Sequence, residues 1–147
     1  MAEYNKALYQ SEGKSFDPGS LRVSEEDLRR DGFGPAPRFE CLMAESGGAA
    51  VGFALYLSNY STFEGRAGLY LEDIFVRDTA RGLGVGRRIM RHLAAIAVER
   101  GCRRLDFSVM PMNPARGFYE ALGCRHLDDW LSYRISDGDL ERLAEER

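Results

Sequence analysis

Three clusters of residues carry groups that could bind an anion or move a proton. The first is Arg81-Gly82-Leu83-Gly84-Val85-Gly86, which follows an apolar segment and opens a helical pattern. Glycines let backbone N–H groups approach an anion without side-chain obstruction. The amino end of a helix adds partial positive charge, and the arginines nearby, Arg87 and Arg88 among them, add full charges. This is the chemistry of a pyrophosphate cradle. A dinucleotide fingerprint fails here, because its sixth position falls on Arg87 counted from Gly82 and on Ile89 counted from Gly84. A P-loop fails too, because Gly86 is followed by Arg87 rather than by lysine. Taken alone, the run fits a glycine-rich turn without a ligand equally well.

The second cluster is Glu72-Asp73, two acids in the otherwise apolar segment Leu69 to Val76. Either carboxylate could take a proton as a general base, and either could instead pair with an arginine. Alternate strand residues face opposite ways, so only one of the pair should face a given site unless a bulge intervenes. The third cluster is Asn113 with Phe118-Tyr119-Glu120-Ala121-Leu122-Gly123. A phenol can donate a proton, but Phe118 and Tyr119 would also suit the core side of an amphipathic helix.

These clusters need elements to position them. Ser24-Glu25-Glu26-Asp27 opens a short helix in the manner of a capping box, ending near Gly32. A loop runs from Gly32 to Pro37. Strands are predicted from Phe39 to Glu45 and from Val51 to Asn59, joined as a hairpin at Gly47-Gly48, and from Leu69 to Val76. After the glycine run, Val85, Ile89, Leu93 and Ile96 recur at helical spacing, and Gly101 stops that helix. A fourth strand is expected from Leu105 to Val109. A helix follows from Asn113-Pro114 to Gly123, then a last strand from Trp130 to Ile135 and a terminal helix from Asp139 to Glu146. The stretch up to about Leu21 is polar and broken by Gly13, Pro18 and Gly19, so weak order or a short helix is expected there. The pattern defines an α/β layer with a mixed, mostly antiparallel sheet flanked by helices.

Composition bounds the functional classes. The chain has 147 residues, which suits a single domain with one core, and 44% of them are hydrophobic. A net charge of −3 leaves no electrostatic footprint for a nucleic-acid partner. No apolar run has membrane-spanning length, and the start lacks the apolar stretch of a signal peptide. Cys41, Cys102 and Cys124 are odd in number and widely spaced, which reads as reduced thiols, no zinc site and a cytoplasmic location. His92 and His126 have no partners at metal-ligand spacing, so no metal is expected.

Together, the arginine–glycine run after an acidic strand, Asn113, and the Phe118–Gly123 segment resemble the GNAT acetyltransferase superfamily. Asp31-Gly32-Phe33-Gly34, Val51-Gly52-Phe53-Ala54 and Leu69–Val76 further resemble its diamine (spermidine/spermine) branch. The resemblance runs from about Val23 to Leu143. It implies a GNAT-type fold and an enzyme that moves acetyl from acetyl-CoA to a primary amine in a ternary complex. The acceptor it implies is small and cationic, a polyamine, a diamine or a lysine analogue, and the assembly a homodimer.

The resemblance also implies roles. Glu72 matches the residue that takes the proton of the amine in the diamine branch, and Tyr119 matches the acid that protonates the CoA sulfur. An alkylamine, with a pKa near 10.4 like that of lysine, is mostly protonated at neutral pH, so a base is needed. The backbone of Ile74, Phe75 and Val76 would bind the pantetheine arm, as would Asn113, and Arg81, Gly82, Leu83, Gly84, Val85, Gly86 and Arg87 would hold the diphosphate. Asp73, Asp128 and Asp129, with Glu72, would favour a cationic acceptor, although Asp128-Asp129 also fits a solvated acidic turn.

The chain departs from the branch pattern in three places. The segment from Met112 to Tyr119 is one residue shorter, which turns Tyr119 by about 100° unless the preceding turn absorbs it. The usual first strand is not expected within this chain, which fits a shortened start, a lost element or an edge completed by a partner chain. Lys14-Ser15-Phe16 replaces an aromatic–acid–aromatic triplet, which argues against spermidine. Two further readings stay open: a GNAT-like domain that has lost catalysis and senses acyl-CoA, and a nucleotide-binding protein using the same loop.

Overall fold

A computed structural model describes residues 22–146. The readings made for residues 1–21, including the missing strand and the Lys14–Phe16 triplet, lie outside the described residues. The chain divides between Arg116 and Gly117 into two compact units.

In the first unit, α1 (Glu25–Phe33) begins at the expected capping box. The Ser24 hydroxyl accepts the Asp27 amide at 3.1 Å, and the Asp27 carboxylate accepts the Ser24 amide at 3.0 Å. The Ser24 hydroxyl also donates to that carboxylate at 2.6 Å, and this bond first, then the Ser24 amide, with Arg30 beside them, hold the Asp27 carboxyl down at about 2. The meander follows as β1 (Glu40–Ser46), β2 (Ala49–Ser61) and β3 (Arg66–Val76), each antiparallel to the last. Gly47 and Gly48, both at positive φ, form the two-residue loop between β1 and β2. A tight hairpin turn of the right hand requires that conformation at both central positions.

A 3-10 turn (Asp78–Ala80) and the glycine run lead into α2 (Val85–Glu99). The helix closes at Gly101, in the left-handed region with φ 68°. Its amide reaches the Val98 carbonyl at 3.0 Å and the Cys102 amide reaches that of Ala97 at 2.8 Å, the two bonds of a Schellman stop. β4 (Leu105–Asp106) then runs parallel to β3, giving a sheet of order β1-β2-β3-β4. The core of this unit joins Ala54, Tyr56, Leu69 and Leu71 of the sheet to Ile89, Met90, Leu93 and Ala97 of α2. Ile89, Leu93 and Ala97 repeat at four-residue spacing along one helix face.

The mixed α/β class is as expected, and two boundaries are corrected. β4 spans two residues rather than the five from Leu105 to Val109, because its ladder ends at Tyr70 and Asp106, just before β3 bends. The helix expected from Asn113 begins instead as α3 (Arg116–Glu120). Asn113 makes a side-chain turn first, its Oδ1 accepting the Ala115 amide at 2.8 Å and its carbonyl accepting that of Arg116 at 3.2 Å.

In the second unit, α3 stops at Gly123, again with both Schellman bonds: Gly123 to the Glu120 carbonyl and Cys124 to that of Tyr119. The strand expected from Trp130 to Ile135 is absent; that segment has no ladder among the described residues. Alternation of Leu131, Tyr133 and Ile135 supplies a strand's side-chain pattern, but a strand also needs a neighbour. Without one, Leu131 and Tyr133 stand 78% and 91% exposed. The second unit ends in α4 (Gly138–Glu145).

Candidate active site

The site begins with a fault in the β2–β3 ladder. Tyr56 pairs with Leu71 and Leu55 pairs with Asp73, so Glu72 has no cross-strand partner. This is a β-bulge, one extra residue on β3. Directly opposed residues share a face of the sheet and neighbours alternate. Leu71 therefore lies on the buried Tyr56 side, toward α2, and Asp73 on the opposite, Leu55 side. Leu71 and Asp73 are two residues apart and would share a face in a regular strand; the extra residue reverses that. Glu72 follows Leu71 onto the Leu55 side, so both carboxylates are presented to one face. Only one was expected there unless a bulge intervened, and here one does. Glu72 is exposed and Asp73 half-buried.

Beyond the bulge, Ile74, Phe75 and Val76 are half-buried and pair with Ala54, Phe53 and Gly52. The Phe53 and Phe75 rings lie 6.0 Å apart. Gly52 is needed for close approach, because a Cβ there would lie 2.6 Å from the Phe75 carbonyl oxygen. The sequence carried that signal as a glycine inside an apolar strand.

The strand then turns into the glycine run. The Arg77 amide donates to the Val51 carbonyl at 2.9 Å. The Arg81 guanidinium folds back, donating from Nε to the Val76 carbonyl at 3.1 Å and pairing through Nη1 with Asp78 at 2.9 Å. Gly82 and Gly84 both sit in the left-handed region, with φ 75° and 77°. The first bond into α2 runs from the Arg88 amide to the Gly84 carbonyl at 3.1 Å. The amides of Gly84, Val85, Gly86 and Arg87 therefore precede the ladder and have no intrahelical acceptor. Leu83 is exposed, and Val85 and Gly86 are half-buried. Arg87 and Arg88 are exposed and have no ion-pair partner among the described residues. Four outward amides, two left-handed glycines and two arginines fit a diphosphate.

Asn113 is half-buried, and its turn with Ala115 occupies Oδ1. In the second unit, Tyr119 is buried, with the Phe118 ring edge-on at 5.1 Å. Burial pushes its phenol above the ordinary value of 10, and the Cys124 thiol adds to the shift. Such a phenol holds its proton at neutral pH. Asp128 pairs with Nδ1 of His126 on an exposed turn, and Asp129 beside it is exposed. The structure thus gathers Glu72, Asp73, Ile74–Val76 and Arg81–Arg87 on one continuous segment of the first unit. Tyr119, Asp128 and Asp129 belong to the second. No cluster of residues suited to a metal occurs among the described residues.

Known proteins resemble this chain in sequence and in fold. The profile of the Acetyltransferase (GNAT) family matches residues 5–124, and the chain belongs to that family. It is an acetyl-transferring enzyme, with acetyl-CoA as the co-substrate and an amine as the acceptor. Among individual proteins, it is 36% identical over 156 residues to a thialysine N-epsilon-acetyltransferase of Bos taurus, covering 98% of this chain and 85% of that one. It is 35% identical over 136 residues to a spermidine/spermine N(1)-acetyltransferase-like protein of Homo sapiens, covering 85% of this chain and 19% of that one. In three dimensions it resembles an integron cassette protein from the mobile metagenome of V. cholerae. The TM-score is 0.78 at 27% identity, covering 99% of this chain and 89% of that one.

Proposed function

We propose that the protein acetylates the primary amine of a small cationic acceptor, of thialysine or diamine type, by direct transfer within a ternary complex. The observation that carries this reading is the bulge at Glu72, which turns two carboxylates to one face of the strand that leads into the amide-lined loop. Relatives named for thialysine and for polyamines point to the same acceptor class.

Acetyl-CoA supplies the acetyl thioester; the chain binds it, orients it and moves protons around it. The amides of residues 82–87 hold the diphosphate, with Arg87 beside them, and Arg81 braces the turn through Val76. The backbone of Ile74, Phe75 and Val76 aligns the pantetheine arm, and Asn113 contacts it. Glu72 takes the proton of the ammonium, directly or through water, so that the nitrogen lone pair can attack. Tyr119 gives its phenolic proton to the departing sulfur; its hydrogen bond stabilises the developing charge before transfer is complete. Asp73 attracts the cation, and Asp128 and Asp129 add to the field. Three unpaired cysteines suit a reducing cytoplasm. Exposed Trp130, Leu131 and Tyr133 suit burial in a homodimer.

The test is acetyl-CoA turnover across a panel of thialysine, ornithine, lysine, diamines and spermidine, with wild type, Glu72→Gln and Tyr119→Phe. The expected result is highest kcat/KM for the shorter amines, with kcat lowered roughly a hundredfold in each variant. Undiminished turnover in both variants would overturn the assignment of the base and the acid.

A further inference from the structure

The rung of the sheet where β3 slips is tied down from the opposite face. Tyr56, buried and paired with Leu71, donates its hydroxyl proton to Glu40 Oε2 at 3.1 Å. Glu40 is its direct partner on β1. Arg100, which caps the carboxyl end of α2, donates Nη1 to Glu40 Oε1 at 2.5 Å and Nη2 to Oε2 at 2.7 Å. Its guanidinium carbon also lies 5.9 Å from the centre of the Tyr56 ring, within cation–π range. One carboxylate, one phenol and one guanidinium thus join β1, β2 and the end of α2 beside the bulge.

A bulge is a local register slip, and a slip can migrate. A shift by one residue would put Glu72 opposite Tyr56 and turn its carboxylate toward the helix side of the sheet. Whatever holds Tyr56 opposite Leu71 therefore decides which way Glu72 points. We infer that Glu40, Tyr56 and Arg100 form a positioning clasp that pins the register of the bulge and so aims Glu72. The three residues act through β2 and touch no reacting atom. The inference rests on Glu72 being the base, as proposed above.

A double-mutant cycle on kcat/KM tests it, using the panel amine that wild type turns over fastest. Tyr56→Phe keeps the ring and removes the hydroxyl; Arg100→Met removes the bidentate bond and serves if the first variant folds poorly. Each is expected to lower kcat/KM for the amine about tenfold, as misaimed catalytic groups do. The dissociation constant of acetyl-CoA should stay within about twofold, and Arg100→Lys should recover part of the loss. In a Glu72→Gln background the Tyr56→Phe effect should fall below about twofold, because there is no longer a base to misaim. Full additivity with Glu72→Gln would overturn the clasp while leaving the base assignment standing, and so would unchanged kcat/KM in both single variants. Wild-type kcat/KM in Glu72→Gln alone would overturn the base assignment and the clasp with it.

Discussion

Leu55 stands opposite Asp73 across the β2–β3 ladder, and the pairing reaches it by skipping Glu72. That one-residue slip gives two adjacent carboxylates a common face, and the two should differ in kinetic role. Asp73→Asn should raise KM for a cationic amine severalfold with kcat nearly kept, since it supplies field rather than proton transfer. Glu72→Gln should lower kcat. Steady-state kinetics with amine as the varied substrate separates the two, and equal effects on both parameters would contradict the division.

The loop amides need their backbone conformation. Gly84 has φ 77° at the helix start, and nothing lies within 4 Å of where a Cβ would be, so only backbone strain opposes a side chain. Gly84→Ala should cost about 1–2 kcal/mol in that conformation or shift the loop out of it. The dissociation constant of acetyl-CoA should rise about tenfold if the strain falls on binding. Isothermal titration reads that change, and thermal melting shows whether the fold absorbs it instead.

Gly52 is constrained by space rather than by φ. A Cβ would press on the Phe75 carbonyl at 2.6 Å, which is backbone and cannot swing away. Gly52→Ala should separate β2 from the end of β3, lower the melting temperature by several degrees and weaken acetyl-CoA binding. A variant with unchanged stability would show that the strands have room.

Tyr119 should contribute to the alkaline stability of the second unit. Burial raises its phenol above 10, so the fold favours the neutral form. Stability from this residue is complete below the unfolded phenol's value and is lost as pH rises through the higher folded one. Tyr119→Phe should flatten the alkaline fall in melting temperature while removing the proposed acid. An unchanged alkaline limb would place the phenol in water.

Glu40 shifts in the other direction. Hydrogen bonds from Arg100, and then from Tyr56, hold its carboxyl below the ordinary 4.5 against the opposing effect of burial. Its contribution is present above that value and is lost as pH falls through the lower folded one. Glu40→Gln should lower the melting temperature at neutral pH, with the gap to wild type closing as the solution is acidified. The pair is part-exposed, so the effect should be modest and should shrink in high salt.

Much of this was legible in the residues themselves. Ser24 with Asp27, the Gly47-Gly48 hairpin and the Gly101 stop are local signals, each satisfied within a few residues, and all three form. The glycine run also declared itself, because left-handed φ is a local property. Non-local choices were hidden. The position of the bulge depends on how β2 and β3 register over their whole length, and the Glu40–Arg100 pair joins residues 60 apart. Leu131, Tyr133 and Ile135 show the converse: an alternating pattern is legible, but a strand forms only where a neighbour offers its edge.

The proposed mechanism depends on the amides from Gly82 to Arg87 holding acetyl-CoA. Calorimetric titration of acetyl-CoA into the folded chain, and into a variant carrying Gly82→Ala with Gly84→Ala, measures that grip. Saturable 1:1 binding to the wild type and a large loss in the variant are expected. Equal affinity in the two proteins, or no binding to the wild type, would contradict that mechanism.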